Sequence, residues 1–179
     1  VYKRQGMQAL EDKDENKIKY VLEHEPVIDA LEEDITRYLT KMSEKEMGAE
    51  LSAMHTRLLH ACTDIERIGD HGEALAKDAR RMFEDDVKFS EEAKTELRAL
   101  GELVMQASGK AMEALANNDK VLAQEAWDIC RQVKKAQKEI RKNHIVRLHE
   151  KRCDPVAGFM MMEILINLKR VSDHSKNIS

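Results

Sequence analysis

Two acidic side chains stand four residues apart in the segment DIERIGDH, residues 64–71. On a helix, this spacing places the carboxylates of Glu66 and Asp70 on one face. Neighbouring carboxylates repel each other, and a partly buried pair needs a compensating cation. A divalent metal, the solvent ions or a nearby basic side chain can supply that charge. The basic candidates in sequence are Arg67, Lys77 and Arg170.

A second group of acids lies in the preceding stretch of the chain. Asp29, Glu32 and Glu33 share one face of a predicted helix. Across a helical bundle, this face could meet the Glu66 and Asp70 pair and complete an oxygen-rich metal site. A solvated acidic face explains the same pattern, and spacing alone leaves both interpretations open.

The chain contains an internal repeat. A shift of 105 residues aligns Ile28 with Val133 and Ile35 with Ile140. A shift of 103 residues aligns Arg67, Ile68, Asp70 and His71 of the first half with Arg170, Val171, Asp173 and His174 of the second half. The shift is two residues smaller here, which fits a connecting loop that is two residues shorter in the second copy. We therefore expect one helical repeat over residues 1–85 and another over 86–179.

The second repeat differs from the first at the acidic pair. Lys169 stands where the first repeat has Glu66, and Asp173 keeps the place of Asp70. Lys169 and Asp173 are themselves four residues apart and can form an ion pair on a helix. A metal site is therefore expected in the first repeat more than in the second.

Breakers and capping residues predict where the helices begin and end. We expect helices over about 15–42, 49–80, 91–116 and 119–151, and a last helix that Asp154 and Pro155 open. Pro26 predicts a kink or break in the first of these. Residues 1–10 match only the end of the 91–116 helix. The first repeat is therefore expected to lack most of its opening helix and to expose apolar surface.

Composition supports an all-α fold and excludes several classes of function. The 179 residues are 36% charged and 4% aromatic, with 7 Gly and 2 Pro, and good helix formers dominate. A net charge of -4, with both signs mixed, disfavours a nucleic-acid-binding protein. No apolar run is long enough to insert into a membrane. No Glu-x-x-His, HExxH, phosphate-loop or nucleophile-elbow pattern points to an enzyme.

Several segments together resemble one family. The stretch LLHACTDIERIGDHGEALA, residues 58–76, resembles the signature helix of PhoU-type domains, and INLKRVSDHSKNIS, residues 166–179, resembles its second-repeat counterpart. Residues 24–46 resemble the long helix that precedes it, most of all in the version fused to bacterial sodium/phosphate cotransporters. The resemblance implies a pair of three-helix bundles. It also implies divalent-metal clusters of iron, zinc, manganese or magnesium.

The resemblance also assigns residues and a role. The implied metal ligands are Glu66 and Asp70, with Glu32 or Glu33 as the partner from the other helix and Asp173 as the remaining half of a second motif. The implied function is non-enzymatic regulation of phosphate transport, on the cytoplasmic side of the membrane, through contact with a membrane transporter. Two alternatives stay open, which are a carboxylate-rich metalloprotein and a helical oligomerisation module that forms a homodimer.

Overall fold

The computed structural model describes residues 14–44 and 46–179, and these form α-helices joined by short turns, without a β-strand. The helices are α1 (Glu15–Ser43), α2 (Ala49–Glu84), α3 (Glu91–Asn117), α4 (Lys120–His149) and α5 (Pro155–Ile178). The predicted all-α fold is confirmed, and α2 extends four residues beyond its predicted end. The expectation for residues 1–10 lies outside the described residues.

Aspartate side chains begin three of the five helices. Asp14, Asp119 and Asp154 each accept hydrogen bonds from backbone N–H groups of the first turn, which have no partner within the helix. Asp154 precedes Pro155, whose missing N–H costs nothing at the first helical position. The predicted helix starts at Asp119 and at Asp154-Pro155 are therefore confirmed.

A kink or a break was predicted at Pro26, and the break is wrong, because α1 continues through this residue. Proline removes one backbone hydrogen bond from a helix interior, which costs about 3 kcal/mol. The flanking parts of α1 are anchored on both sides of the proline, by buried Ile18 and Val21 before it and by buried Leu39 after it. Packing on α2 therefore keeps the helix continuous despite the lost hydrogen bond.

Helices α3, α4 and α5 pack against one another as a three-helix bundle, and α1 packs on α2. Contact between α2 and α5 joins the two repeats. The main core runs through this joint, since Ile68 and Leu75 of α2 lie in one cluster with Leu100, Ile164 and Leu165. The two-repeat helical bundle predicted from the sequence is thus present.

Reciprocal hydrogen bonds between α2 and α5 reveal a twofold relation of the repeats. His71 Nδ1 donates to Asn167 Oδ1 over 3.1 Å, and His174 Nδ1 donates to Asp64 Oδ1 over 2.7 Å. Asp64 and Asn167 are equivalent positions, as are His71 and His174. Such exchanged contacts are the mark of a twofold axis. Residue numbers rise along α2 where they fall along α5, because Asp64 meets His174 and His71 meets Asn167. The two helices are therefore antiparallel. A twofold axis that relates two antiparallel helices is normal to the plane that contains them.

Four large apolar side chains of α1 are exposed to solvent, and one of them has a buried counterpart on α4. The exposed set is Val27, Leu31, Ile35 and Tyr38. Ile35 is 46% exposed, whereas its equivalent Ile140 is 6% exposed. The difference arises because α3 packs on α4, and no described helix packs at the corresponding place on α1. The exposed apolar surface expected in the first repeat is therefore observed.

The N-terminal part of α2 carries exposed apolar side chains, Leu51 and Met54. They line an open groove of about 1150 Å³ that also runs past Leu115 of α3 and Ile178 of α5. The apolar face of α2 becomes fully buried only further along, at Ile68 and Leu75.

Each repeat has one histidine ring at the contact between its two paired helices. In the first repeat the ring comes from the second helix of the pair, α2, and in the second repeat it comes from the first helix of the pair, α4. In the first repeat, His55 of α2 donates to the carbonyl of Leu39 of α1 over 2.7 Å. The equivalent residues of the second repeat are Gly158 and His144. A Cβ atom at Gly158 would lie 3.2 Å from His144 Nε2, so the glycine leaves room for that ring. His144 Nε2 is buried without a hydrogen-bond partner in the described structure.

Candidate functional site

Three carboxylates from two helices converge on the surface of the first repeat. Glu25 and Asp29 are one turn apart on α1, and Asp70 faces them from α2. One carboxylate oxygen of each lies within 4.8 Å of the others. Oxygen ligands at such separations from two rigid elements suit a hard divalent cation. This is therefore the place in the described structure where side chains can hold a metal.

Glu66 and Glu73 extend this site along α2, one turn to either side of Asp70. Together with Glu25, Asp29 and Asp70 they form what we call the acidic cluster. Burial raises the pKa of Glu66 above its ordinary value, and the charges of Asp70 and Asp29 raise it further. Burial and the neighbouring Asp29 likewise raise the pKa of Glu25. Burial is therefore the main cause of both pKa shifts, and repulsion between the neighbouring carboxylates adds to it.

Basic side chains supply part of the missing charge. Arg67 places Nη1 3.2 Å from Asp70 Oδ2 and Nε 3.5 Å from Glu66 Oε2. Lys77 Nζ lies 2.6 Å from Glu73 Oε2. Both cations are more than half exposed, so water screens much of their effect. Two of the basic partners considered from the sequence therefore act here, and both pair with acids of α2.

The structure changes which α1 acids belong to the site. Glu32 accepts a hydrogen bond from Thr36, and Glu33 forms an ion pair with Arg37 at 3.0 Å, so both are engaged along α1 itself. Asp29 lies in the cluster as expected. Glu25 is the member that the sequence analysis missed.

The reason is the position along α1 at which α2 crosses it. Asp70 lies opposite the turn of α1 that contains Glu25 and Asp29. This turn precedes the one that contains Glu32. The missed signal is the four-residue spacing of Glu25 and Asp29, which repeats that of Glu66 and Asp70.

At the equivalent place in the second repeat the charge is reversed. The positions of Glu25, Asp29, Glu66, Asp70 and Glu73 are occupied there by Cys130, Lys134, Lys169, Asp173 and Lys176. We call Lys134, Lys169 and Lys176 the basic cluster. Lys169 forms the predicted ion pair with Asp173, and the buried Cys130 thiol donates to the carbonyl of Ser172. Asp173 is thus a lone carboxylate among lysines.

The two signature histidines, His71 and His174, lie between the repeats, at the pseudo-twofold axis. Their rings stack with centroids 5.7 Å apart. Each donates Nδ1–H to the opposite repeat, as described above, and Asp64 also accepts from Asn177 Nδ2 at 3.1 Å. Their proximity to the acids in sequence therefore reflects a role in joining α2 to α5.

Comparison with known proteins places this chain in a family. The sequence matches the PhoU domain twice, over residues 4–79 and 97–179. The chain belongs to the PhoU family. The two matches fall on the two repeats, so the acidic cluster lies in the first PhoU unit and the basic cluster in the second.

Relatives of known name and structure agree with this assignment. The phosphate-specific transport system accessory protein PhoU homolog 1 of Thermotoga maritima is 26% identical over 175 residues, which are 97% of this chain and 74% of the relative. The crystal structure of PhoU from Pseudomonas aeruginosa superimposes with a TM-score of 0.91 at 22% identity, over 99% of this chain and 84% of that one.

PhoU from Streptococcus pneumoniae, described as a phosphate transport system regulatory protein, gives a TM-score of 0.86 at 19% identity, over 99% and 82% of the two chains. At these identities the two structures establish a shared fold. Among the described residues, no helix is both long and apolar enough to cross a bilayer.

Proposed function

We propose that this chain is a non-enzymatic regulator of phosphate transport that acts by binding a membrane transporter. The observation that carries the proposal is the PhoU match over both repeats. The curated relative from Thermotoga maritima, named as an accessory protein of phosphate-specific transport, supports it. The surface suits binding, because the charged clusters and the exposed apolar stripe of α1 lie on rigid helices.

The finer form of the proposal concerns the transporter. The resemblance of residues 24–46 and 58–76 favours a sodium/phosphate cotransporter, with this chain on its cytoplasmic side as a tail or as a separate subunit. In that arrangement, docked helix faces stabilise one state of the transporter over another. A regulator of this kind shifts transport only by its difference in affinity for the two states.

Phosphate uptake in cells that carry the gene tests this function. Residues 1–179 are deleted, and uptake of radiolabelled phosphate is measured in phosphate-limited and phosphate-replete cultures. We expect the deletion to abolish the difference between the two cultures. Uptake that stays regulated as before contradicts the proposal. Replacing sodium with choline then identifies the partner, because an effect of the deletion that persists without sodium excludes a sodium-coupled transporter.

Divalent-metal binding at the acidic cluster is a second candidate function. It is favoured by the convergence of the Glu25, Asp29 and Asp70 carboxylates, and by the repulsion from Asp70 and Asp29 that adds to burial in raising the pKa of Glu66. The donors are all oxygens, which favours magnesium, manganese or iron over zinc. A bound ion would tie α1 to α2 and remove the mutual repulsion of their acids.

Metal content of the purified protein tests this candidate. Elemental analysis and calorimetric titration with Mn²⁺ are compared for the wild type, for Asp29→Asn with Asp70→Asn, and for a control, Asp85→Asn with Asp86→Asn. The control removes the same charge in the turn after α2, far from the cluster. We expect binding in the wild type and the control only. Equal binding by all three, or none by any, contradicts the assignment.

A further inference from the structure

We propose that α4 and α5 form a docking surface for an anionic membrane, which the chain contacts without crossing. Between Arg131 and Lys142, α4 carries six basic side chains and one acid, although the whole chain has a net charge of -4. All six are exposed, and Lys169 and Lys176 project from the neighbouring helix α5. We call these cations of α4 and α5 the basic face. Lipid head groups that bear phosphate carry the complementary charge.

Several cations of the basic face are not neutralised within the described structure. Arg131 pairs with Asp128 at 2.6 Å, and Lys169 pairs with Asp173. Lys134, Lys138 and Arg141, by contrast, form no ion pair with a described residue. An exposed lysine or arginine beside an anionic leaflet strengthens binding about fivefold. Cations without an internal partner are therefore available to the phosphates of a membrane.

Exposed apolar side chains stand at both ends of the row of cations on α4. Trp127 and Ile145 are 44% and 55% exposed, and they lie about five helical turns apart, on one stripe of the helix. Phe159 and Ile166 of α5 are also exposed. At a membrane interface, rings and aliphatic groups enter the head-group layer while lysine amines reach the phosphates. The mixture therefore favours a membrane over a nucleic acid or an acidic protein.

The fold does not require these side chains, because the first repeat forms the same helix pair without them. Its equivalent positions hold acids or threonines, and the pairs are Lys134 with Asp29, Lys138 with Glu33, Phe159 with Thr56 and Ile166 with Thr63. Exposed apolar groups that do not serve the fold indicate a binding surface. The open groove described above includes none of them, so the basic face lies outside that concave region.

The acidic cluster determines the orientation of the chain on the membrane. It lies on α1 and α2, and α1 contacts only α2 among the described helices. The helices therefore follow in the order α1, α2, α5 and α4, with acids at one end and the basic face at the other. Lipid phosphates repel the first end and attract the second. Helix α4 is then nearest to the membrane and α1 farthest from it.

Co-sedimentation of the whole chain with lipid vesicles tests the proposal. Vesicles of pure phosphatidylcholine are compared with vesicles that contain about 40% phosphatidylglycerol. We expect binding to the anionic vesicles alone, and about tenfold or more weaker binding when NaCl is raised from about 0.05 M to about 0.5 M. No binding to the anionic vesicles at low salt, or equal binding to both kinds of vesicle, overturns the proposal.

Substitutions on the basic face locate the bound surface. Lys134→Gln with Lys138→Gln removes two unpaired cations, and binding to the anionic vesicles should weaken about twentyfold. Its control, Lys88→Gln with Lys94→Gln, removes the same charge in the α2–α3 turn and on α3. A control that weakens binding as much as the first variant overturns the assignment.

The fluorescence of Trp127 provides a readout on the unmodified protein. The chain has 1 Trp, so the signal reports on the basic face alone. With the anionic vesicles we expect the emission to move to shorter wavelength, and brominated lipid to quench it, because the ring enters the head-group layer. Binding that leaves both the emission and the quenching unchanged overturns the proposal.

Competition with inorganic phosphate separates a membrane surface from a site for the free anion. At matched ionic strength, phosphate should release no more of the bound chain than NaCl does. Selective release by phosphate would show a site for the free anion and overturn the proposal. The vesicles contain no transporter, so this result is independent of the regulatory function proposed above.

Discussion

Replacing His144 with leucine is expected to stabilise the protein and to remove part of its sensitivity to acid. His144 is 1% exposed, and its Nε2 has no hydrogen-bond partner in the described structure. A buried polar atom without a partner costs about 1–3 kcal/mol. The equivalent position of the first repeat already holds a leucine, Leu39, so the backbone accepts the side chain.

The expected gain is at the low end of that range, because leucine has no ring to fill the space beside Gly158. We expect the free energy of unfolding at neutral pH to rise by about 1 kcal/mol, or the melting temperature by about 2–4 °C for a chain of this length. Urea denaturation followed by circular dichroism measures the change.

The dependence on pH provides the sharper readout. Burial lowers the pKa of His144 below its ordinary value, and the neighbouring Arg147 lowers it further, while the Gly158 backbone and then Glu96 oppose the shift. The folded protein then binds fewer protons at this site than the unfolded chain. The free energy of unfolding is therefore highest above about pH 6.5, the pKa of histidine in the unfolded chain. It falls as the pH drops below that value.

The largest effect of this one group is a loss of about 2 kcal/mol between about pH 7.5 and about pH 5, reached if the folded ring takes up no proton. His144→Leu should flatten the stability curve by up to that amount. Other histidines titrate in both proteins, so the difference between the two curves isolates His144. Parallel curves for the wild type and the variant would refute the reasoning.

Three further substitutions have expected magnitudes. Arg147→Met removes the arginine from an ion pair of 2.6 Å with Glu96, in which the arginine side chain is 6% exposed, and leaves Glu96 with the amide of Asn143. We expect a loss of about 2 kcal/mol in urea denaturation, most of it recovered when Glu96→Gln is added. Leu165→Ala removes a fully buried side chain at the centre of the core, and thermal unfolding should show a loss of about 2–5 kcal/mol. Asp64→Ala removes the acceptor of two hydrogen bonds that join the repeats, and we expect a loss of about 1–3 kcal/mol in the same assay. No loss would show that these two hydrogen bonds do not stabilise the contact between the repeats.

Much of the fold could be predicted from the sequence because its signals are local. Helix formers, capping aspartates and the internal repeat each act within a few residues, and they predict all five described helices to within a few residues of their ends. Pro26 shows where local reasoning fails. Its effect on α1 depends on packing against α2, and no rule of local sequence contains that contact.

The acidic site was predicted in part for the same reason. The α2 members, Glu66 and Asp70, follow from spacing on one helix. The α1 members depend on the level at which α1 crosses α2, and this is set by core contacts such as Ile28 against Gly69, whose added Cβ would lie 3.3 Å from Ile28 Cγ2. A shift of one turn places Glu25 beside the predicted Asp29 in the cluster and leaves the predicted Glu32 and Glu33 outside it. The spacing of residues within one helix cannot determine where a second helix crosses it.

The exchange of an imidazole between helices bears on how this protein can be redesigned. In the first repeat the ring comes from His55 and meets Leu39, and in the second it comes from His144 and meets Gly158. A consensus of the two repeats, taken position by position, would combine His55 with His144 and crowd two rings into one space, or combine Leu39 with Gly158 and leave a void. Residues at this contact can be transplanted only as pairs, so a symmetrised version of the chain must copy one repeat whole.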